Sequence, residues 1–297
     1  MVDINLQLSL VLPTFNDEKG LYLSLFAAIQ QLEKSDLEWE IVIAADGGTP
    51  VKWEKADPRV RVMRFTGNNQ FGSPQGTRDA GIRMARFKNV VCIDSHVVVS
   101  DFEKWTQKHE DLAAALSFPT MVGTSNEMFK IFGNTMDFDG RFWNKTTLSS
   151  PHRDFPYQIC EFAHSAFMVD REWYIQSGGY TNLLQGYGGE EPYLALKAWM
   201  LGEAVWMIPE IWHAHYQPIG RNEGAGERPD FARNFMIGAY VMGGQKYLEK
   251  THRAFPGAYP LRITPEIQAE RDKICKGPFR GDLDLLREHF QKHNVVS

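Results

Sequence analysis

The chain has 297 residues, 43% of them hydrophobic and 23% charged, with a formal net charge of −5. That composition excludes a disordered chain and gives no broad basic field for nucleic acid or an anionic membrane surface. No apolar run approaches the roughly 20 residues of a membrane span, and residues 1–7 lack the order of a secretory leader. Cys92, Cys160 and Cys275 form no close pair, which fits a reducing compartment, so the expectation is a cytoplasmic protein without a membrane anchor.

Leu8–Pro13 reads as a buried parallel strand, a short apolar run closed by proline. After Thr14-Phe-Asn-Asp17, apolar residues at three- and four-residue spacing predict a helix over Leu21–Leu32. Glu40–Ala45 is a second buried strand ending at Asp46-Gly-Gly48, and Val60–Met63 is a third. A polar loop over 66–76 leads to a helix at Thr77–Phe87 and a strand at Asn89–Ile93, which stops at Asp94-Ser-His96. This is βαβαβ with a parallel sheet. Ligands bind outside the carboxyl ends of such strands, so residues 13–16, 46–48 and 94–96 are expected to share one crevice.

Ser117–Phe155 is rich in Asn, Gly, Thr and aromatics and reads as loops and short strands over the site, with Phe129–Trp143 able to stack a sugar or a base. Strands follow at Phe162–Val169 and Ala204–Ile208, a short helix at Arg171–Ser177 capped by Gly178-Gly179, and a helix at Glu190–Leu201. The glycine-rich, charged residues 219–230 predict a mobile loop. Phe231–Ser297 reads as mixed helix and coil, its basic residues largely balanced by acids. The expected division is 1–250 for the α/β domain and 251–297 for a C-terminal helical and coil extension packed on it.

Asp94 and His96 end a buried strand two residues apart, which in an extended chain places carboxylate and imidazole on one side. The pair suits Mn²⁺ or a similar divalent ion, with the other positions left to diphosphate oxygens. Its ordinary reading is a turn-capping aspartate beside a surface histidine. His213-Ala-His215 presents alternate rings in the same way, or else one packed and one exposed histidine. Beside Asp94 and His96, a third protein ligand from this pair becomes the better explanation. Gly188-Gly-Glu190-Glu191 opens a helix, where the acids either complement the dipole or hold a sugar and serve as general base. Arg78 is either a surface ion-pair partner of Asp79 or a group that neutralises diphosphate or holds the donor sugar.

Leu8–Asn16 (LSLVLPTFN), Ile41–Thr49 (IVIAADGGT), Gly76–Ala85 (GTRDAGIRMA) and Val90–His96 (VVCIDSH) resemble the GT-A nucleotide-sugar transferases of the family-2 kind, the last standing where that family carries its D-x-D metal motif. Phe167–Arg171 (FMVDR), Gly178–Tyr180 (GGY), Gly186–Glu191 (GYGGEE), Trp199–Gly202 (WMLG) and Ile208–His215 (IPEIWHAH) look like the polypeptide N-acetylgalactosaminyltransferases and galactosyltransferases. The resemblance covers about residues 6 to 218. It implies a GT-A, Rossmann-like α/β fold, a mostly parallel sheet flanked by helices, and a metal-dependent transferase that uses a nucleoside-diphosphate sugar, in the first place a UDP-sugar.

Carried over by position, it implies that Pro13, Thr14 and Asn16 line the nucleoside pocket and that Asp46 bonds the base. Asp94, His96 and His215 would hold Mn²⁺, with Mg²⁺ as the other candidate. Glu190 would hold a sugar hydroxyl, and Glu191 would sit near the acceptor. The 219–230 loop would close over the donor, bringing Arg221 or Arg228 to the diphosphate. The chain departs from the family at Ala45-Asp46, where two adjacent acids are usual. Where it has Glu191, inverting enzymes typically carry Asp and the polypeptide-modifying ones Asn, and the carboxylate points to inversion with Glu191 as base. The acceptor stays open among glycan, protein, small molecule and modified nucleic acid, including hydroxymethylated pyrimidine in phage-type DNA. Competing readings are a nucleotidyltransferase, though residues 13–20 lack its glycine-rich basic loop, and an inactive sugar-nucleotide-binding module.

Overall fold

The computed structural model describes residues 6–15, 17–46, 57–65, 74–124, 128–131, 134–136, 145–147, 154–160, 165–180, 182–216, 229–293 and 295. The first half alternates β1 (Gln7–Thr14), α1 (Glu18–Leu32), β2 (Glu38–Asp46), β3 (Val60–Phe65), α2 (Pro74–Met84) and β4 (Asn89–Ile93). β1 runs parallel to β2 and to β4, and β2 runs parallel to β3. The strand order 4-1-2-3 puts a topological switch between β1 and β4, the place where open α/β sheets bind ligands beyond the carboxyl ends of their strands.

The apolar runs are continuous because both faces of the sheet are covered. Leu8, Leu10, Leu12, Ile41, Ile43, Val91 and Ile93 pack with Leu21, Leu25 and Leu32 of α1. Val11, Val42, Val90 and Cys92 face the other side with Ile82 of α2. α2 crosses β1 so closely that a Cβ on Gly81 would lie 2.4 Å from Val11 Cγ1, which outweighs the poor helix propensity of glycine there. The helix ends at Met84, short of the expected Phe87, because beyond Ala85, whose N–H still reaches the Gly81 carbonyl, the amides bond elsewhere. Arg86 N–H donates to the Glu40 carboxylate at 2.6 Å and Phe87 N–H to the Ser9 hydroxyl at 3.1 Å.

The chain continues through β5 (Val97–Val99), α3 (Phe102–Asp111), β6 (Leu116–Thr124), β7 (Met128–Ile131), β8 (Asn134–Met136), β9 (Lys145–Thr147), β10 (Tyr157–Gln158), β11 (Ala166–Asp170), α4 (Arg171–Ser177), α5 (Glu190–Met200) and β12 (Val205–His215). The expected α/β sheet becomes mixed beyond β4, since β11 lies antiparallel between β4 and β6 while β6 runs parallel to β12. The reading of Ser117 onward as loops is corrected, because β6 is a nine-residue strand inside the sheet. Pro119 and Gly123 disguise it, both being rare in central strands. β12 absorbs Pro119 by a register shift between Ile208 and Trp212, where the Thr120 hydroxyl donates to the Pro209 carbonyl at 3.1 Å. The strand expected to stop at Ile208 therefore continues to His215. The side chains of most of Phe129–Trp143 lie outside the described residues.

α3, for which the sequence carried no assignment, buries Phe102 and Trp105 on the α1 side. Its His109 Nδ1 meets Ser117 Oγ at 2.7 Å, and Trp105 Nε1 donates to the same hydroxyl at 3.1 Å. Burial, helped by the positive Lys88, pushes the His109 pKa from 6.5 down to about 3. The folded state binds fewer protons than the unfolded one, so stability is intact above pH 6.5 and is lost as pH falls towards 3. At about 1.4 kcal/mol per pH unit, this group removes roughly 2.5 kcal/mol between pH 7 and about pH 4.5. His109→Gln should shrink the stability difference between those pH values, measured by denaturant unfolding, by about that amount. An unchanged difference would show that His109 titrates freely in the folded protein.

Three helices close the chain: α6 (Pro229–Ala254), α7 (Pro265–Ile274) and α8 (Leu283–His293). α6 opens with the last two residues of the expected loop and runs across residue 250, with a kink at Gly244 (φ 72°, ψ −162°). Arg271 donates to the carbonyls of Tyr240 and Val241 at 2.8 and 3.2 Å, satisfying acceptors freed at the kink. Ile267, Ile274, Leu283, Leu286 and Phe290 join the same core as Leu194, Leu196 and Trp199 of α5. Lys197 of α5, 0% exposed, donates to Glu270 of α7 at 2.6 Å and to the Gly179 carbonyl at 2.8 Å. Among the described residues, no helix is long and apolar enough to cross a membrane.

Candidate active site

β4 ends at Ile93, and Asp94-Ser95-His96 forms a turn closed by a 3.1 Å bond from Val97 N–H to the Asp94 carbonyl. The expected extended D-x-H is thus corrected: chain reversal into β5, not strand alternation, brings the two side chains together. β5 pairs antiparallel with the end of β12, Val97 opposite His215, which sets His215 beside His96. Their rings stack with centroids 4.9 Å apart and Nε2 atoms 3.0 Å apart. His215 Nε2 lies 4.0 Å from Asp94 Oδ2, and one donor atom from each of the three residues lies within 4.8 Å of the others.

This donor set, two imidazole nitrogens and a carboxylate oxygen, suits a divalent transition-metal ion that accepts imidazole, Mn²⁺ among them, better than Mg²⁺, which favours oxygen alone. Burial lowers the His215 pKa, and the positive neighbours add to it against the pull of Asp94. That shift favours the neutral imidazole, the form that binds a metal. Burial opposes ionisation of Asp94, but Arg78, His215 and His96 outweigh it and hold the carboxyl below its usual range.

Arg78 is buried under this cluster rather than displayed on the surface with Asp79. Its Nη2 donates to Asp94 Oδ1 at 2.5 Å, and its Nη1 lies 3.9 Å from Glu190 Oε1. Nε and Nη1 have no hydrogen-bond partner among the described residues. Burial works against the charge, yet Asp94 and the other negative neighbours keep the Arg78 pKa well above its ordinary value.

α5 begins with Gly189 at φ 81° and no side-chain cap, which leaves the two acids of the first turn to face the helix dipole. Glu190 is 5% exposed and accepts from Gln75 Nε2 at 3.0 Å. Burial raises its pKa, with Arg78 opposing. Glu191, the next residue, is half-buried and near enough to His215 to act on its charge.

At the ends of the parallel strands, Pro13 is half-buried, Thr14 is buried, and Asp46 is 2% exposed. Thr77 Oγ1 donates to Asp46 Oδ2 at 3.3 Å, while Asp46 Oδ1 has no partner among the described residues. The crevice therefore holds a buried acceptor oxygen with capacity to spare. Asn16, Arg221 and Arg228 lie outside the described residues.

The two histidines of β12 part company. His213 is packed, 2.7 Å from the Ser165 hydroxyl, and burial pushes its pKa to about 3. Three contributors escaped the sequence reading. Gln75 and Thr77, in the first turns of α2, hold Glu190 and Asp46, and Asp17 lies 2.9 Å from His96 Nδ1. For Asp17 a signal existed, a helix N-cap acid just after the first strand.

The model of the family described as "Glycosyl transferase family 2" matches residues 9–178. The chain is 22% identical to polypeptide N-acetylgalactosaminyltransferase 4 of Caenorhabditis elegans over 224 residues, 69% of this chain and 38% of that protein. It is 22% identical to polypeptide N-acetylgalactosaminyltransferase 8 of Drosophila melanogaster over 317 aligned positions, 95% of this chain and 51% of that protein. The chain thus spans about two fifths to one half of these relatives. Among solved structures, GalNAc-T7 with UDP, GalNAc and Mn²⁺ superposes with a TM-score of 0.76 at 18% identity, covering 98% of this chain and 57% of that one. That likeness establishes the GT-A architecture.

Proposed function

The chain belongs to glycosyl transferase family 2, and on that premise we propose that it moves a sugar from a nucleoside-diphosphate donor, in the first place a UDP-sugar, to a hydroxyl acceptor with inversion. The observation that carries this reading is the convergence of Asp94, His96 and His215 beside the Arg78–Glu190 pair, at the switch point of the sheet. The GalNAc-T7 neighbour was solved with UDP and Mn²⁺, which supports the same donor and ion here. The three cysteines are free, in keeping with a cytoplasmic setting.

Asp94, His96 and His215 would hold the divalent ion, which when bound supplies Lewis-acid neutralisation of the leaving diphosphate. Thr14 and Asp46 line the nucleoside end of the crevice with Pro13, and the spare Asp46 oxygen accepts from the base. Arg78 acts through Asp94 and Glu190, holding both in place, and its charge opposes the upward push of burial on the Glu190 pKa. Glu190, held by Gln75, anchors a donor hydroxyl. Glu191 is the more open of the two carboxylates, and it takes the proton from the acceptor hydroxyl as that oxygen attacks.

Calorimetric titration with UDP-, GDP-, TDP- and CDP-sugars, with Mn²⁺ and again with EDTA, tests the donor half. One UDP-sugar should bind, only with metal present, and turnover should release nucleoside diphosphate rather than pyrophosphate. If no donor binds in a metal-dependent way, the proposal fails. Pyrophosphate among the products would replace it with nucleotidyl transfer.

A further inference from the structure

We infer that Asp17 is a positioning residue for the metal site, an inference that rests on reading Asp94, His96 and His215 as ligands. Asp17 caps α1, its Oδ1 accepting from Gly20 N–H at 3.3 Å. That role uses one oxygen. The other, Oδ2, lies 2.9 Å from His96 Nδ1 and accepts from Ser95 Oγ at 2.8 Å. The carboxylate sits in a slot left by a glycine. A Cβ on Gly20 would stand 2.6 and 2.8 Å from the two Asp17 oxygens and 2.8 Å from the Ser95 carbonyl, so a larger residue there would push the carboxylate off the turn.

The consequence for His96 follows from the donor inventory. An ionised carboxylate only accepts, so the ring nitrogen facing it carries the proton, and Nε2 keeps its lone pair. That Nε2 is the atom that lies 3.0 Å from His215 Nε2. By holding Ser95 and His96 together, Asp17 also fixes the turn that places Asp94. Such outer carboxylates typically change metal affinity about 10- to 100-fold when removed.

Asp17→Ser separates this role from capping, because serine is also a good N-cap but is too short to reach the ring. The full-length protein, without donor, would be titrated with Mn²⁺ alone and the free ion followed by electron paramagnetic resonance. Thermal unfolding and the long-range ¹⁵N spectrum of the metal-free histidines would be recorded beside it. We expect Asp17→Ser to unfold near the wild-type temperature, to bind Mn²⁺ about 10- to 100-fold more weakly, and to lose the Nδ1–H signature of His96. Asp17→Asn, whose amide oxygen still accepts from Nδ1–H, should recover part of the affinity.

Wild-type affinity in both variants overturns the inference. So does a loss of affinity that merely tracks a loss of folding while the His96 tautomer stays unchanged. Asp94→Ala in the same titration separates the two failures. If it loses Mn²⁺ while the Asp17 variants keep it, Asp17 alone was misread; if it too keeps Mn²⁺, the metal site falls and the inference with it.

Discussion

Asp94→Ala should abolish transfer and, as a separate effect, weaken the fold. The first loss follows from removing the one carboxylate in the ligand set. With the leaving diphosphate unneutralised, kcat/KM should fall by roughly 10³-fold or more, corresponding to several kcal/mol of transition-state stabilisation. Metal-dependent donor binding should vanish with it. The second loss follows from Arg78, whose side chain is only 8% exposed and whose 2.5 Å partner is Asp94. Breaking a buried pair from one side strands the other charge at a cost of about 3 kcal/mol. Asp94→Asn separates the effects, because its amide oxygen still accepts from Arg78 while the metal loses an anionic ligand. The Asn variant should stay close to wild type in thermal unfolding yet remain inactive. Activity in a folded Asn variant would remove the metal from the mechanism.

Glu191→Gln should lower transfer by about 10²- to 10⁴-fold, the range that a positioned general base contributes, while the dissociation constant of the donor stays within about twofold of wild type. The two acids at the head of α5 are neighbours in sequence but not in situation. Glu190 is buried and committed to Gln75 and Arg78. Glu191 is half-buried and close enough to His215 to be felt by it. Glu190→Gln should therefore act mainly on donor binding and stability. Single-turnover rates with saturating donor, set against calorimetric donor affinity, would separate the two. Retained transfer in the Glu191→Gln protein would end its assignment as base.

The parallel half of the fold and the polar strand ends that carry Asp46 and Asp94 were legible in the sequence for a common reason. β1, β2 and β4 are buried on both faces, so they read as unbroken apolar runs, and their polar ends mark the crevice without further help. What stayed hidden was decided by long-range packing. β6 carries Pro119 and Gly123, and only the register shift in β12 makes room for them. α2 stops early because Glu40 and Ser9, distant in sequence, capture the amides of Arg86 and Phe87. The two-residue spacing of Asp94 and His96 is plain in the sequence, but nothing local announces the turn that joins them. His215 emerged through family resemblance, and its twin His213 could not be told apart by period, since both lie on one side of β12. Asp17 escaped because its partner is brought to it by that same turn, 79 positions along the chain.

The buried ammonium of Lys197 bears on how far the catalytic unit extends. It sits on the helix that opens with Glu190 and Glu191, about 10 Å further along the axis, and its counter-charge, Glu270, comes from beyond residue 250. The carboxylate end of the crevice and the closing helices are thus cross-braced like two walls sharing one tie-rod. A cut at residue 250 would divide a shared core rather than trim an appendage. It would strip Lys197 of its counter-charge and lay bare the apolar flank that α7 and α8 cover. The folding unit that carries Glu190 and Glu191 therefore takes in α7 and α8 as well.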